Sequence, residues 1–257
     1  MPNLHTLKEG SQETVVSTEG GTVESWKVGG KDIFFPRQKI GDKTRGGMHQ
    51  CFPNFGKISD EFGLPPHGPL RNTELTTTNT NGSLIMETKS DKLFGKENIL
   101  SAIKITTSLV TYENIPSLEY CLTAKLEGGS PEHAWVNPGF HPYFNVPEET
   151  AIIMYGREKL VWKWDGSLDL KYLPLTEDDR RNPIVIKIQG LCTVTMTMGS
   201  AFTESPAAGI VIWSDSSKYV CVEPASGPFE RYGKDGCQKL PKNNSIDFKC
   251  TFSVIEI

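Results

Sequence analysis

The sequence predicts an all-β protein, built as one large antiparallel β-sandwich. Three observations favour this class. Apolar and polar residues alternate with a period of two in several stretches. No stretch shows the sustained spacing of apolar residues that an amphipathic helix needs. The 24 glycines and 17 prolines are spread along the chain, as turns between short strands require. A barrel or a jelly roll stays open as an alternative architecture.

The candidate strands follow one another along the chain. Many are rich in valine, isoleucine and threonine, which strands favour. In the first part of the chain they lie near residues 13–17, 22–28, 31–35, 73–78 and 83–88. In the second part they lie near residues 151–155, 184–197, 208–214 and 218–223, followed by an alternating run over 246–254.

The middle of the chain predicts a β-hairpin. Residues 118–126 place Leu118, Tyr120 and Leu122 on one face, in alternation with mostly polar residues. The stretch 100–112 alternates in the same way. The segment between the two, Glu113-Asn114-Ile115-Pro116, is typical of a hairpin connection.

Length and charge narrow the class of protein and its partners. A chain of 257 residues is long enough for one domain, residues 1–257, with a sizeable core. The 27 basic and 31 acidic residues are interspersed and give a net charge of −4, so no basic block predicts nucleic-acid binding. No apolar run approaches the roughly 20 residues of a membrane helix, so no membrane partner is expected. We expect a monomer that binds a small molecule.

The N-terminal sequence and the cysteines predict the compartment. The residues MPNLHTLKEG lack the basic and apolar regions of a signal peptide. The six cysteines are scattered and include no CxxC pair, a pattern that favours reduced thiols. We therefore expect a cytoplasmic protein.

Three short polar motifs interrupt the strand-like sequence: HGPLR at 67–71, HPYFN at 141–145 and VCVEP at 220–224. They supply His67, His141 and Glu223. Imidazole titrates near neutral pH, and burial raises the pKa of a carboxyl group, so the trio suits general acid–base catalysis. We expect His67 on a rigid, proline-rich loop and Glu223 at the end of its strand, because Pro224 follows it. Taken singly, each of the three is also compatible with a purely structural role.

Three further residues are candidates for holding a substrate. Arg71 lies shortly after His67, and Arg45 precedes a pair of glycines. A guanidinium can make two parallel hydrogen bonds to a phosphate or a carboxylate, although a single arginine is more often a surface charge. Asp165 stands between Trp164 and Gly166 and could accept a hydrogen bond from a sugar hydroxyl, but Asp-Gly is also an ordinary turn.

Four segments, in order, resemble the aldose 1-epimerase (mutarotase) family. They are RGGMHQCFPNFG at 45–56, LPPHGPLRN at 64–72, NPGFHPYFNVP at 137–147 and VIWSDSSKYVCVEPASG at 211–227. The resemblance is strongest to the hexose-6-phosphate 1-epimerase branch. It implies a large antiparallel β-sandwich and an enzyme that interconverts the α and β anomers of an aldohexose, with no metal and no organic cofactor.

The resemblance also implies residue roles. Glu223 would remove the proton of the anomeric hydroxyl, His141 would protonate the ring oxygen, and His67 would hydrogen-bond near that oxygen. Arg45 and Arg71 would hold the phosphate of the sugar. Asp165 is matched more loosely, as an acceptor for a sugar hydroxyl.

The chain departs from the family pattern at three places, one of which is Thr73-Glu74-Leu75, where the family usually has a tryptophan soon after the HG loop. Asn54 stands where the family often has tryptophan, and Pro69-Leu70 stands where it often has Phe-Ala. These positions are expected to line the sugar pocket and so to bear on which sugar is bound.

Three alternatives stay open. The substrate would be a free hexose, such as galactose or glucose, if Arg45 and Arg71 diverge in space. His67, His141 and Glu223 would also suit a divalent metal as a facial triad, although their wide separation lacks the usual HxH or HxxE spacing. Finally, a non-catalytic carbohydrate-binding protein could use the same fold.

Overall fold

The computed structural model describes residues 2–57, 63–80, 83–89, 102–126, 132–167, 169–177, 179–205, 207–228, 232–233 and 237–257. Of the described residues, 61% lie in β-strands and 5% in helices, which confirms the all-β prediction. Within these ranges, no helix combines the length and apolar character needed to span a membrane.

The strands in chain order are β1 (Leu4–Glu9), β2 (Gln12–Ser17), β3 (Val23–Val28), β4 (Lys31–Asp32), β5 (Gln38–Ile40), β6 (Lys43–Arg45), β7 (Met48–Cys51), β8 (Thr76–Thr80), β9 (Ser83–Lys89), β10 (Ala102–Tyr112), β11 (Ile115–Lys125), β12 (His133–Val136), β13 (Gly139–Asn145), β14 (Thr150–Tyr155), β15 (Glu158–Lys163), β16 (Asp169–Pro174), β17 (Ile184–Ile188), β18 (Cys192–Met198), β19 (Gly209–Ser214), β20 (Tyr219–Ala225), β21 (Gln238–Pro241) and β22 (Ser245–Glu256). A short helix, α1, covers Ser200–Thr203, and single 3-10 turns cover Leu70–Asn72 and Asp179–Arg181.

Two nine-stranded antiparallel sheets form the body of the protein. Sheet I has the order β1-β2-β3-β7-β13-β20-β19-β16, with β4 paired to β3. Sheet II has the order β15-β14-β17-β18-β22-β11-β10-β9-β8. Two small ribbons, β5-β6 and β12-β21, stand beside them.

The core lies between the inner faces of the two sheets. Phe144 of sheet I meets Phe252 of sheet II with ring centroids 6.1 Å apart, and Phe140 meets Tyr120 at 5.1 Å. All four rings are fully buried. Each such side chain contributes on the order of 1.5–3 kcal/mol by leaving water, so this layer is what holds the sandwich together.

Sheet I also has an outer face, which follows from the period of two along each strand. In β13, Phe140 and Phe144 point into the core cluster, while Tyr143 belongs to a separate cluster on the other side. In β20, Val222 points into the core cluster, and Cys221 joins Tyr143 on the outer side. By the same alternation, His141 of β13 and Glu223 of β20 also face outward.

The predicted hairpin is confirmed, but its turn is tighter than the sequence indicated. β10 pairs with β11 from Ala102↔Lys125 to Tyr112↔Ile115. The turn is Glu113-Asn114 alone, with φ of 49° and 68°, as a two-residue hairpin requires. Ile115 and Pro116 therefore already belong to β11.

Two other strand predictions need correction. The run 31–35 contains only the short β4, and 184–197 divides into β17 and β18. The division falls at residues 189–191, where Gly190 has φ of +71° and ends the pairing of β17. A positive φ suits glycine, which has no side chain to clash.

Candidate active site

The candidate site is a cavity of about 410 Å³ on the outer face of sheet I. Its described lining residues are Thr44, Arg45, His49, Phe55, Gly56, Lys57, His67, Arg71, His141, Tyr143, Leu170, Val211, Trp213 and Glu223. The structure thus brings together five of the six predicted site residues. The sixth, Asp165, is not among them.

Strand register places His141 opposite Glu223. In the β13–β20 pair, Gly139 faces Ala225 and Tyr143 faces Cys221, so the residues midway between them, His141 and Glu223, face each other. His141 Nε2 lies 3.5 Å from Glu223 Oε1. The two residues are 5% and 2% exposed, so water hardly reaches the pair.

Burial sets the protonation of this pair. It raises the pKa of the Glu223 carboxyl well above its usual value, because the charged form loses its hydration. It lowers the pKa of His141 well below 6.5, and the positive charges of nearby groups, Arg71 among them, act in the same direction. Both shifts favour the uncharged forms, the protonated carboxyl of Glu223 and the neutral imidazole of His141.

The prediction that Pro224 ends the strand is wrong. Strand β20 continues through Pro224 to Ala225, and Ile210 of β19 faces Pro224 across the ladder. A proline removes only its own N–H from the ladder, and its fixed φ is compatible with extended backbone. Glu223 therefore lies within the sheet and not at its rim, and its side chain lines the cavity.

His67 lies on the loop that follows β7, as predicted, and this loop is folded back onto the strand. Its backbone N–H donates to Gly56 O at 2.8 Å, and Phe52 N–H donates to His67 O at 3.2 Å. The φ of His67 is +63°, an unusual value for a residue with a side chain. Next to it, Gly68 has φ of +73°, and a Cβ there would collide with Phe52 O, so only glycine fits.

The hydrogen bonds of His67 fix its tautomer. Gly56 N–H donates to His67 Nδ1 at 3.3 Å, so Nδ1 is an acceptor and the ring proton is on Nε2. Burial lowers the pKa of His67 to about 4, and the charge of Arg71 adds to this effect. His67 therefore offers a neutral N–H donor at neutral pH.

Asn54 and Leu70, which depart from the family pattern, are not among the described lining residues of the cavity. Asn54 is fully buried, and its side-chain amide donates to Gly56 O and Pro65 O at 3.1 Å each. It thus ties the His67 loop together. Leu70 is fully buried in the core cluster. The expectation that Asn54 and Leu70 line the sugar pocket is therefore wrong.

Arg45 and Arg71 converge on the same cavity, but they differ in their pairing. Arg45 Nη2 lies 2.6 Å from Asp215 Oδ2, and its Cζ stands 5.1 Å from the ring centroid of Trp213. Asp215 also accepts a hydrogen bond from the Tyr219 hydroxyl. Arg71 Nε, in contrast, is buried and has no hydrogen-bond partner within the described residues.

A neighbouring polar pocket of about 320 Å³ extends the cavity on the arginine side. Its described lining comprises Arg37, Lys43, Thr44, Arg45, Gly46, His49, Arg71, Asn72 and Tyr143. Of its cations, Arg37 lies 3.7 Å from Glu24, and Arg45 is held by Asp215. The pocket therefore has an excess of positive charge, which Lys43 and Arg71 supply.

Asp165 lies away from this cavity. Its Oδ1 accepts hydrogen bonds from Ser167 N at 2.9 Å and from Ser167 Oγ at 2.6 Å, which lower the pKa of the carboxyl group. This is the side-chain geometry of an Asx turn between β15 and β16, and the carboxylate is exposed. The structure does not bring Asp165 to the site.

Sequence reasoning did not assign two rings of the cavity wall to the site, the third histidine, His49, and the indole of Trp213. His141 stacks between His49 and Tyr143, with ring centroids 4.7 Å from each, and Trp213 meets it edge-on at 5.5 Å. His49 faces His141 directly in the β7–β13 ladder. The alternation within MHQC, with Met48 and Gln50 buried, is the signal that could have placed His49 on the outer face.

The possible metal ligands group differently from the predicted triad. His67 clusters with His49 and Cys51, while His141 clusters with Glu223 and Cys221. Within each group the ligand atoms lie within 4.8 Å of one another. Each group includes a cysteine that the sequence reasoning did not consider as a ligand.

A larger cavity, of about 580 Å³, lies elsewhere, near the ends of β14, β17 and β18. Its described lining includes Lys31, Lys187 and Glu256 but no histidine. Catalytic chemistry needs acid and base groups within reach of one atom, so we assign the site to the smaller cavity where such groups converge.

Comparison with solved structures shows which known proteins share this fold. A candidate aldose 1-epimerase from Escherichia coli K12 aligns over 100% of both chains, with a TM-score of 0.76 at 15% identity. A galactose mutarotase-related enzyme from Lactobacillus acidophilus aligns over 98% of this chain and 97% of its own, with a TM-score of 0.72 at 15% identity. An aldose epimerase homologue from C. elegans covers 100% of both chains, with a TM-score of 0.67 at 9% identity. The chain has the galactose mutarotase-like fold.

The likeness is one of structure, since no protein-family model and no curated protein matches the sequence. The mutarotase-like fold agrees with the β-sandwich that the strand pattern predicted. The match extends over essentially the whole chain, so the strands that line the cavity lie within the aligned region.

Proposed function

We propose that the protein interconverts the α and β anomers of an aldohexose, and that its substrate is a hexose 6-phosphate. One observation carries the catalytic part of the proposal. His141 and Glu223 face each other across adjacent strands, 3.5 Å apart, almost fully buried and at the wall of a cavity. The mutarotase-like fold supports the same reaction class.

The scheme starts from a protonated Glu223 and a neutral His141. Transfer of the carboxyl proton to the imidazole creates a carboxylate base and an imidazolium acid. The carboxylate removes the proton of the anomeric hydroxyl as the C1–O5 bond breaks. The imidazolium gives its proton to the ring oxygen, which becomes the C5 hydroxyl. An open-chain aldehyde results, and the proton on the pair is again on Glu223.

Closure on the other face uses the same groups in reverse. The aldehyde turns about the C1–C2 bond, and the C5 hydroxyl returns its proton to His141 as it attacks C1. The new anomeric oxygen takes its proton from Glu223. Protons are only exchanged between substrate and pair, so the cycle consumes nothing and needs an acid and a base of similar strength.

His67 contributes a fixed hydrogen bond in this scheme. Its Nδ1 is occupied by Gly56 N–H, so its Nε2–H is the donor available to a bound molecule. The ring lies 5.3 Å from that of His141, centroid to centroid. We assign it to the oxygen on which charge develops as the ring opens.

The choice of a phosphorylated sugar rests on Arg71 and the polar pocket beside it. A buried guanidinium nitrogen without a partner is costly, and a phosphate oxygen would satisfy it with a charge-assisted hydrogen bond. Lys43 and Arg45 line the same pocket. The convergence of Arg45 and Arg71 favours the phosphate over the free-hexose alternative.

Exchange NMR tests the proposal. Magnetisation exchange between the α and β anomers is measured for glucose 6-phosphate, glucose and galactose, with and without the protein. Acceleration for the phosphate above that for the free sugars is expected. Acceleration for free sugars alone would overturn the phosphate assignment, and no acceleration for any sugar would favour a carbohydrate-binding protein on this fold.

A further inference from the structure

We infer that His49, Cys51 and His67 form a binding site for a thiophilic divalent ion, of which Zn²⁺ is the probe ion. The ligand atoms of the three side chains lie within 4.8 Å of one another. His49 Nε2 is buried and has no hydrogen-bond partner within the described residues. Buried polar atoms are nearly always hydrogen-bonded, so an imidazole nitrogen without such a partner is a candidate ligand for an ion.

The backbone holds these ligands in place before any ion binds. His49 and Cys51 are two residues apart on β7, so both point to the outer face of sheet I. His67 is brought back to them by the paired bonds between the loop and the strand end, from Phe52 N to His67 O and from His67 N to Gly56 O. A strand and a pinned loop are rigid supports, as a metal site needs.

The ligand set suits zinc. Imidazole and thiolate are its usual ligands, with bonds of roughly 2.0–2.1 Å to nitrogen and 2.3 Å to sulfur. These lengths put sulfur and nitrogen about 3.5 Å apart at a tetrahedral angle. Cys51 Sγ and His67 Nδ1 are now 3.0 Å apart, so a small outward movement would make room. The bond from Gly56 N–H that an ion would displace from Nδ1 is long, at 3.3 Å.

Zinc is bound by neutral imidazole and by thiolate, so the thiol of Cys51 loses its proton when an ion binds. Binding therefore forms one S–Zn bond and two N–Zn bonds and releases one proton from Cys51 to solvent.

The second group, His141, Cys221 and Glu223, is a poorer site. All three of its residues are buried, whereas His49 and His67 of the first group are only partly buried. An ion there would also have to separate His141 from Glu223. The two groups each contain one cysteine, which provides a matched pair of variants.

An ion on the first group would block the proposed reaction. It would occupy His67 and lie beside the ring of His141, whose centroid is 4.7 Å from that of His49. This consequence, unlike the ion site itself, rests on the proposed function. Inhibition that a sugar phosphate relieves is expected for Zn²⁺.

Cobalt spectroscopy tests the site without reference to activity. Co²⁺ is titrated into the full chain, and the charge-transfer absorption of a thiolate–cobalt bond is followed in the near ultraviolet. We expect the band in the wild type and in Cys221→Ser, its loss in Cys51→Ser, and displacement of the cobalt by Zn²⁺. His49→Gln, at a partly buried position, is expected to weaken Zn²⁺ binding by at least about tenfold.

The outcomes separate clearly. A band that persists in Cys51→Ser and disappears in Cys221→Ser would place the ion on the other group and overturn the inference. Absence of the band in the folded wild type would also overturn it. Circular dichroism of each variant shows whether it is folded, and His49→Gln provides the test if Cys51→Ser is not. Epimerase activity is not needed for any of these results.

Discussion

His141 Nε2 lies 3.5 Å from Glu223 Oε1 because the two residues face each other on adjacent antiparallel strands. The aromatic rings of His49 and Tyr143 cover both faces of the imidazole. The burial of His141 and Glu223 excludes water from the pair. It lowers the pKa of His141 and raises that of Glu223. A sheet, which is a rigid support, thus fixes an acid and a base at one separation.

Glu223→Gln should lower the rate of anomer exchange by about 10²–10⁴-fold, since an amide cannot accept the anomeric proton. The shape of the side chain is kept, so the thermal midpoint should change little. Exchange NMR and thermal denaturation are the measurements. Asp165→Asn, which alters an exposed carboxylate outside the cavity, is the control and should keep the full rate. If Glu223→Gln kept a rate close to that of the wild type, Glu223 would be removed from the mechanism.

Arg71→Gln should raise KM for glucose 6-phosphate by about 10–100-fold, which corresponds to the loss of a charge-assisted hydrogen bond of about 1.5–3 kcal/mol. The rate with free glucose should stay the same, because that sugar has no phosphate to hold. Steady-state kinetics with both sugars measure this difference. Arg181→Gln, which removes an exposed partner of Glu177 and is not among the described lining residues of the cavity, is the matched control. Equal losses for both sugars would show that Arg71 does not act through a phosphate.

The stability of the fold should depend on the protonation of His67. Its pKa is about 4 in the folded protein and about 6.5 when unfolded, so the unfolded chain binds more protons between these values. The contribution is present above pH 6.5 and is lost as the pH falls towards 4, by up to about 3 kcal/mol for this residue. Urea denaturation at pH 7 and pH 4.5 measures the loss.

His67→Gln should reduce that loss, because glutamine does not titrate. His133→Gln, on β12 and outside the cavity, serves as the control. An unchanged difference between the two pH values in His67→Gln would contradict the assignment of a buried neutral imidazole. His49 and His141 add to the same trend, because burial lowers their pKa values too.

Asn114→Ala should destabilise the β10–β11 hairpin by about 1 kcal/mol, because Asn114 has φ of 68° and alanine disfavours that region. Asn114→Gly, which has no Cβ, should leave the free energy of unfolding nearly unchanged. Chemical denaturation of the two variants and the wild type measures both effects. Equal stability of the alanine and glycine variants would contradict the two-residue turn.

The strands that the sequence predicted best are those with uninterrupted alternation, such as β11 and β22. Strands β7 and β13 were not predicted, because histidine, proline and glycine interrupt their apolar pattern. Both carry residues of the site, and their polar positions face the cavity and not the core. Prediction from apolar alternation therefore fails for strands whose outer face carries polar residues that line a cavity.

The sequence by itself determined the all-β class and the hairpin, and it predicted His67, His141 and Glu223 as an acid–base set. It did so because alternation and residue chemistry are local properties. Only the tertiary structure decided that His49 stacks on His141, that Asp215 holds Arg45, and that Asp165 lies outside the cavity. Those relationships join or separate residues that are far apart in the chain, by 170 positions for Arg45 and Asp215, and they depend on strand order and register. Register is set by packing the whole inner face of sheet I on sheet II, and no short stretch of sequence contains that information.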